Sequence, residues 1–211
     1  MVGDYFSRVA DKWDRLASEM YDPKIRESAI SAARVNRNSS VADIGCGTGF
    51  VIEGLLGRVE VVYGVEPSEA MIRVTSRKFR GRPDVILVRA RAERIPLADN
   101  TVDAVISNMA LHHVSKPLRA IREMARILKE GGRLIITDLD EHSYEWFRDE
   151  MDDVWLGFDR KLIRKWLEGA GLEDVEVTCA GGECCTAERG GARMTVFLAK
   201  GTKHGAHRAT F

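Results

Sequence analysis

The stretch Val41-Ala42-Asp43-Ile44-Gly45-Cys46-Gly47-Thr48-Gly49-Phe50 decides how this chain is read. The apolar run at 40–45 predicts a buried strand, and a helix is expected from about residue 49 to 56. Between them Gly45, Gly47 and Gly49 alternate with other residues. Glycine there lets backbone approach a ligand closely and turns N–H groups outward at a helix N-terminus. The dinucleotide fingerprint G-x-G-x-x-G would need glycine where Phe50 stands. Asp43 puts a carboxylate just ahead of the glycines. That suits a ligand bearing an ammonium group and serves poorly beside a pyrophosphate.

The next apolar run, 60–65, leads into Glu66. An acid at that strand tip can accept hydrogen bonds from both ribose hydroxyls. Asp43, the glycines and Glu66 together ask for a ribonucleoside with a positive amino-acid end and no phosphate. S-adenosylmethionine, with S-adenosylhomocysteine as its product, meets that description. Glu66 alone would serve a nicotinamide dinucleotide equally, so a dehydrogenase of similar topology stays open. So does a protein that binds the cofactor without catalysis.

Around this centre short apolar strands alternate with helices. Strands are expected at 85–89, 102–107 and 133–137, with helices after Ser68 and over 116–129, the latter stopped by Gly131-Gly132. This alternation indicates an α/β fold with a mostly parallel sheet covered on both faces. Upstream, Phe6, Val9, Ala10, Trp13, Leu16, Ala17 and Met20 mark one amphipathic helix, and Pro23 opens a second. Downstream, 142–151 and 159–168 read as helices, the second stopping within Gly169-Ala170-Gly171. Runs at 175–179 and 194–199 form a terminal antiparallel pair. The chain is thus expected to be one domain over 1–200. Residues 1–37 make an N-terminal helical cap, 139–171 a helical insertion over the site, and 201–211 a flexible tail.

The chain has 211 residues, 45% hydrophobic and 30% charged, an ordinary globular composition. Lys plus Arg equals Asp plus Glu at 32 each, for zero net charge. That neutrality argues against nucleic acid as the main partner. No apolar run reaches the ~18 residues of a membrane span. The start Met-Val-Gly-Asp-Tyr lacks the features of a leader, so a cytoplasmic protein, monomer or homodimer, is expected. The cysteines show no C-x-x-C spacing of a zinc site, and no metal is expected.

Taken in order, these segments resemble the class I S-adenosylmethionine-dependent methyltransferases, most of all the small branch that includes quinone-biosynthesis enzymes. Tyr5-Phe6 through Trp13-Asp14 resembles the family's opening aromatic helix, and Asp43 to Gly49 its cofactor loop. Glu66-Pro67-Ser68 with Met71 resembles the ribose-binding turn and an adenine-facing apolar residue. Ala92-Glu93-Arg94-Ile95-Pro96 with Asp99-Asn100-Thr101-Val102-Asp103 looks like the segment leading from the adenine pocket into strand four. Asn108 to Val114 resembles that strand's exit, and Leu128 to Leu134 the approach to strand five. The resemblance implies a Rossmann-like three-layer sandwich with a seven-stranded, mostly parallel sheet and an antiparallel last strand. It implies cofactor binding by Asp43, Gly45, Cys46, Gly47, Gly49, Glu66, Pro67, Met71, Ala92, Glu93, Asn108 and Leu111. One departure is Arg91, where the family often has an aspartate that holds the adenine amino group. Arginine cannot accept that hydrogen bond, so Ala92, Glu93 or guanidinium stacking must take over.

Methyl transfer from a sulfonium is an in-line displacement that needs alignment more than acid–base chemistry. His112 and His113, where strand four opens, can act as base or orient an acceptor, or can be structural. Asp138 and His142 follow strand five. His142 and Trp146, from an aromatic-rich segment, are expected to line an acceptor pocket with Tyr5, Trp13 and His112, or simply to pack a helix pair on the sheet. Cys179, Cys184 and Cys185 raise a separate alternative, a metalloid (arsenite) acceptor bound by thiols. Cys46 is expected to offer its backbone.

Overall fold

The computed structural model describes residues 4–20, 22–180, 186–189 and 192–205. β1 (Ser40–Ile44) is buried along its whole length, as a strand covered on both faces must be. It lies between β2 (Val61–Glu66) and β4 (Val102–Asn108), parallel to both. β3 (Val85–Arg89) extends the sheet beyond β2, and β5 (Leu128–Leu139) beyond β4, again in parallel. β8 (Ala192–Lys203) runs antiparallel to both β5 and β6 (Leu172–Cys179). The order β3-β2-β1-β4-β5-β8-β6 is the expected seven-stranded sheet with one reversed strand. A short β7 (Thr186–Arg189), which the Gly-rich sequence there did not suggest, pairs with the start of β8 off this path.

Alternation along the strands feeds two cores, because successive side chains leave opposite faces. α3 (Pro23–Ala33) and α4 (Phe50–Leu55) bury Ile30, Ile52 and Leu55 against Val41, Ile106 and Ile135. α6 (Pro117–Ile127) and α8 (Arg160–Gly169) bury Ile121, Met124, Ile163 and Leu167 against Leu134 and Ile136 on the other face. α5 (Glu69–Lys78) links β2 to β3. Its Ser68 cap accepts the Met71 N–H at 3.4 Å. α7 (Trp146–Met151) is a short turn of helix after β5.

Several boundaries differ from the sequence reading. The first amphipathic helix is broken into α1 (Asp4–Val9) and α2 (Trp13–Met20) by a 3-10 turn over Ala10–Lys12. The helix expected over 142–151 shrinks to α7. Gly131-Gly132 does not stop α6, which runs straight into β5. Instead Gly131, at φ +76°, serves a strand irregularity where the β4–β5 register shifts. The tail is not loose from residue 201. Gly201 and Thr202 pair with Leu134 and Arg133, and Lys203 Nζ donates to the carbonyls of Leu128 (2.8 Å) and Arg126 (3.1 Å). Strand pairing across the sheet, invisible to local periodicity, captures it.

Candidate active site

A cavity of about 1150 Å³ opens at the carboxyl ends of β1, β2 and β4, where ligands bind in open α/β sheets. The β1–α4 turn forms its floor. Gly45 and Cys46 N–H groups donate to the Val65 carbonyl at 2.8 and 3.2 Å, tying the loop to β2. Gly45 and Gly49 have φ of +75° and +91°. A Cβ on Gly45 would strike Ala110, and one on Gly49 the Phe79 ring. The fold itself therefore requires glycine at both positions. Gly47 faces the cavity, and its N–H donates to Glu66 Oε2 at 3.1 Å.

Two acids meet at this floor. Asp43 is 1% exposed and Glu66 7%. Glu66 accepts N–H groups from Gly47 and Ser68. Asp43 Oδ2 has no partner among the described residues. Burial, then the Glu66 charge, pushes Asp43 up to about 8, against a backbone N–H of Ile52. Burial also raises Glu66, opposed by its two N–H donors. Burial raises the Cys46 thiol too, reinforced by the charges of Asp43 and Glu66. Ser107, at the neighbouring strand end, adds a second buried oxygen without a partner. Orphan polar atoms are rare in native interiors. Two in one wall, one of them a carboxylate beside another acid, fit a cationic ligand with hydrogen-bond donors, and S-adenosylmethionine is such a ligand.

The cavity wall brings together Asp43, Gly45, Cys46, Gly47, Glu66, Pro67, Met71, Arg91, Ala92, Glu93 and Asn108, with Trp13 and His113. Asn108 is held by the Thr137 hydroxyl at 2.7 Å. Glu93 is held by Ser115 at 2.9 Å. Gly49 supports the turn from behind, and Leu111, fully buried, donates its N–H to Asp138 Oδ2 at 2.9 Å. Neither lines the cavity as described. Sequence reasoning passed over Ser107, whose signal was a polar residue at a buried strand end. It also passed over Thr48, whose hydroxyl donates to Asp14 of α2.

The remaining expected site residues stand apart. Tyr5 Oη contacts Met151 Sδ at 3.3 Å, and its ring packs on Phe6 and Trp13. Trp146 stacks on Phe147 at 4.1 Å between centroids, and His142 lies tilted against the same ring at 4.9 Å. No described residue of 139–171 lines the cavity. His112 is 2% exposed, and its Nδ1 lies 2.6 Å from Asp138 Oδ1. Burial works to lower its pKa, but Asp138 and then Asp153 outweigh it and raise it to about 9. His113 faces the cavity, edge-on to Phe6 at 4.9 Å. Burial and the neighbouring His112 hold it well below the usual histidine range. Cys179 ends β6 beside Arg160. Cys184 and Cys185 lie outside the described residues.

The fold and this floor define a nucleoside-binding α/β protein of the class I type. Residues 42–136 match the family described as a methyltransferase domain. The ubiquinone/menaquinone biosynthesis C-methyltransferase UbiE of Yersinia enterocolitica is 31% identical, with 90% of each chain covered. The malonyl-[acyl-carrier protein] O-methyltransferase of a Marinomonas species is 30% identical over 74% of this chain. This chain spans only 59% of that relative's length, and 65% of the demethylmenaquinone methyltransferase of Bacillus mycoides. A Haloferax volcanii methyltransferase, solved with the activator Trm112, shares the fold at TM-score 0.81 and 19% identity, with 98% of this chain and 99% of that one covered. The chain belongs to the S-adenosylmethionine-dependent methyltransferases, in the branch that holds the quinone-biosynthesis enzymes. These matches do not favour the dehydrogenase, metalloid or non-catalytic alternatives. No described helix is long and apolar enough to cross a membrane.

Proposed function

We propose that this protein moves the methyl group of S-adenosylmethionine to a small-molecule acceptor by in-line displacement. The observation that carries the reading is the pair of buried carboxylates at one cavity wall, with Asp43 Oδ2 lacking a partner. When bound, the cofactor supplies a methyl group already activated by sulfonium charge. Asp43 accepts from the ammonium end, and Glu66, fixed by Gly47 and Ser68, accepts from the ribose. Pro67, Met71 and Ala92 give the adenine apolar walls, with Arg91 available to stack. Phe6 and Trp13 of the N-terminal helices keep water from the reacting centre, and His113 faces the acceptor side. The cavity exceeds the ~300–1,000 Å³ common for one small ligand, which suits an acceptor beside the nucleoside. Relatives named for quinone and malonyl-thioester methylation support a small organic acceptor. The same reading has the protein in the cytoplasm as a monomer or homodimer, with residues 1–37 as a cap.

Calorimetric titration with S-adenosylhomocysteine checks this, with micromolar binding expected. Binding of NAD in its place would overturn the reading. A panel of quinols, phenols and thiols, scored by S-adenosylhomocysteine release, then identifies the acceptor class.

A further inference from the structure

Next to the acceptor side of the cavity lies a buried cluster that cofactor binding does not use. His112 and His113 come from the 3-10 turn after β4, Asp153 from the segment after α7, and Asp138 from the end of β5. His112 Nε2 and His113 Nδ1 stand 3.8 and 3.5 Å from Asp153 Oδ1. One ligand atom from each of the three residues lies within 4.8 Å of the others. Asp153 is 5% exposed, and its Oδ2 has no hydrogen-bond partner. The two separations are too long for good hydrogen bonds. They approach the ~3.3 Å that two donors take across a tetrahedral ion with bonds of about 2.0–2.1 Å.

Asp138 strengthens the case. It grips His112 Nδ1 at 2.6 Å and is itself fixed by the N–H groups of Leu111 (2.9 Å) and Leu139 (2.7 Å). That leaves Nε2 as the free ligand atom, in the carboxylate–histidine arrangement that orients metal-binding imidazoles. Two imidazoles with one carboxylate suit a first-row transition ion better than magnesium or calcium. Two neutral histidines and two carboxylates also balance a divalent charge.

We propose that His112, His113 and Asp153 bind one divalent transition-metal ion of the zinc type, with Asp138 as the positioning residue for His112. The Asp152 carbonyl lies 3.3 Å from His113 Nδ1 and can accept from it only while that nitrogen is protonated, so ion binding at Nδ1 replaces that contact. The ion fastens the turn that carries the cavity-facing His113 ring to the segment at 152–155, whose Val154 and Trp155 N–H groups already donate to the His112 carbonyl. Metal loading thereby sets one wall of the acceptor site. Sequence spacing excluded only cysteine pairs. This donor set forms when segments about 40 residues apart meet.

The test is titration of the chelator-treated full chain with Co(II), kept reduced, followed by displacement with Zn(II). One equivalent with the visible bands of a four- or five-coordinate ion is expected. Asp153→Asn should remove it, and Asp138→Asn should weaken it about 10–100-fold while keeping the spectrum. In the unmutated protein, Zn(II) should shift the imidazole nitrogen resonances of two histidines, which needs no variant to fold. A folded wild type that binds no stoichiometric ion overturns the proposal. So does binding that survives Asp153→Asn, shows thiolate charge-transfer bands and disappears in a Cys184→Ser/Cys185→Ser variant. S-adenosylhomocysteine affinity, measured separately, keeps this outcome distinct from that of the methyltransferase reading.

Discussion

In the proposed reading cofactor recognition turns on Asp43, a buried carboxyl whose Oδ2 has no partner among the described residues. A carboxyl held at about 8 when folded keeps its proton more tightly than in the unfolded chain. Its contribution to stability is complete below the unfolded value near 4 and is lost as pH rises toward about 8. A ligand ammonium draws the carboxylate form, so binding at pH 7, where an α-amino group is mostly charged, must release a proton. Calorimetry in buffers of different ionisation enthalpy should show that release in the wild type, and should not in Asp43→Asn. The same substitution should weaken S-adenosylhomocysteine binding about 10–100-fold, in the range of a hydrogen bond to a charged group. It removes one of two neighbouring buried acids, so the melting temperature at pH 8 should hold or rise. The place of Asp43 at the cavity wall was legible in the sequence, because a strand–glycine–helix pattern fixes where its carboxylate emerges. The roles of Gly45 and Gly49 were only half legible. Their crowding against Ala110 and Phe79 comes from residues distant in the chain.

At the scale of elements, the β1–α4 turn and the N-terminal helices can be tested separately. Gly49→Ala places a side chain at φ +91° and against the Phe79 ring. A loss of about 1–3 kcal/mol is expected, read as a lower urea midpoint. These helices touch α5 through exposed ion pairs, Arg77–Asp11 and Lys78–Asp14. Such pairs contribute little and are screened by salt. Packing of Phe6, Val9 and Trp13 on Ala70 and Met71 does more. Cofactor affinity should therefore change less than about twofold on raising salt to 0.5 M. Trp13→Ala should lower it at least about fivefold. The broken first helix was not legible, because an apolar stripe at three- and four-residue spacing reads the same with or without a 3-10 turn inside it.

Across the whole molecule, β8 decides how the sheet closes. It lies between β5 and β6, so its last residues pair on both sides. Ending the chain after Lys200 removes the pairings of Gly201, Thr202 and Lys203 and the Lys203 ammonium contacts to Leu128 and Arg126. With several hydrogen bonds lost at about 1 kcal/mol each, a destabilisation of about 2–4 kcal/mol is expected in urea unfolding. An unchanged midpoint would mean that these residues are not held as described. The aromatic segment at 139–171 belongs to this scale too. His142 and Trp146 pack with Phe147 on the sheet side, and the cavity is walled instead by the N-terminal helices.

The amino-acid order by itself determined the alternation of strands and helices, the glycine turn and the two acids at the carboxyl ends of β1 and β2. These depend on local periodicity and on backbone geometry within a few residues. Only the tertiary structure decided which orphan oxygens share a wall, that residues 201–203 belong to a paired strand, and that two histidines meet Asp153. Those outcomes depend on strand register and on segments brought together across the sheet, and no local pattern encodes them.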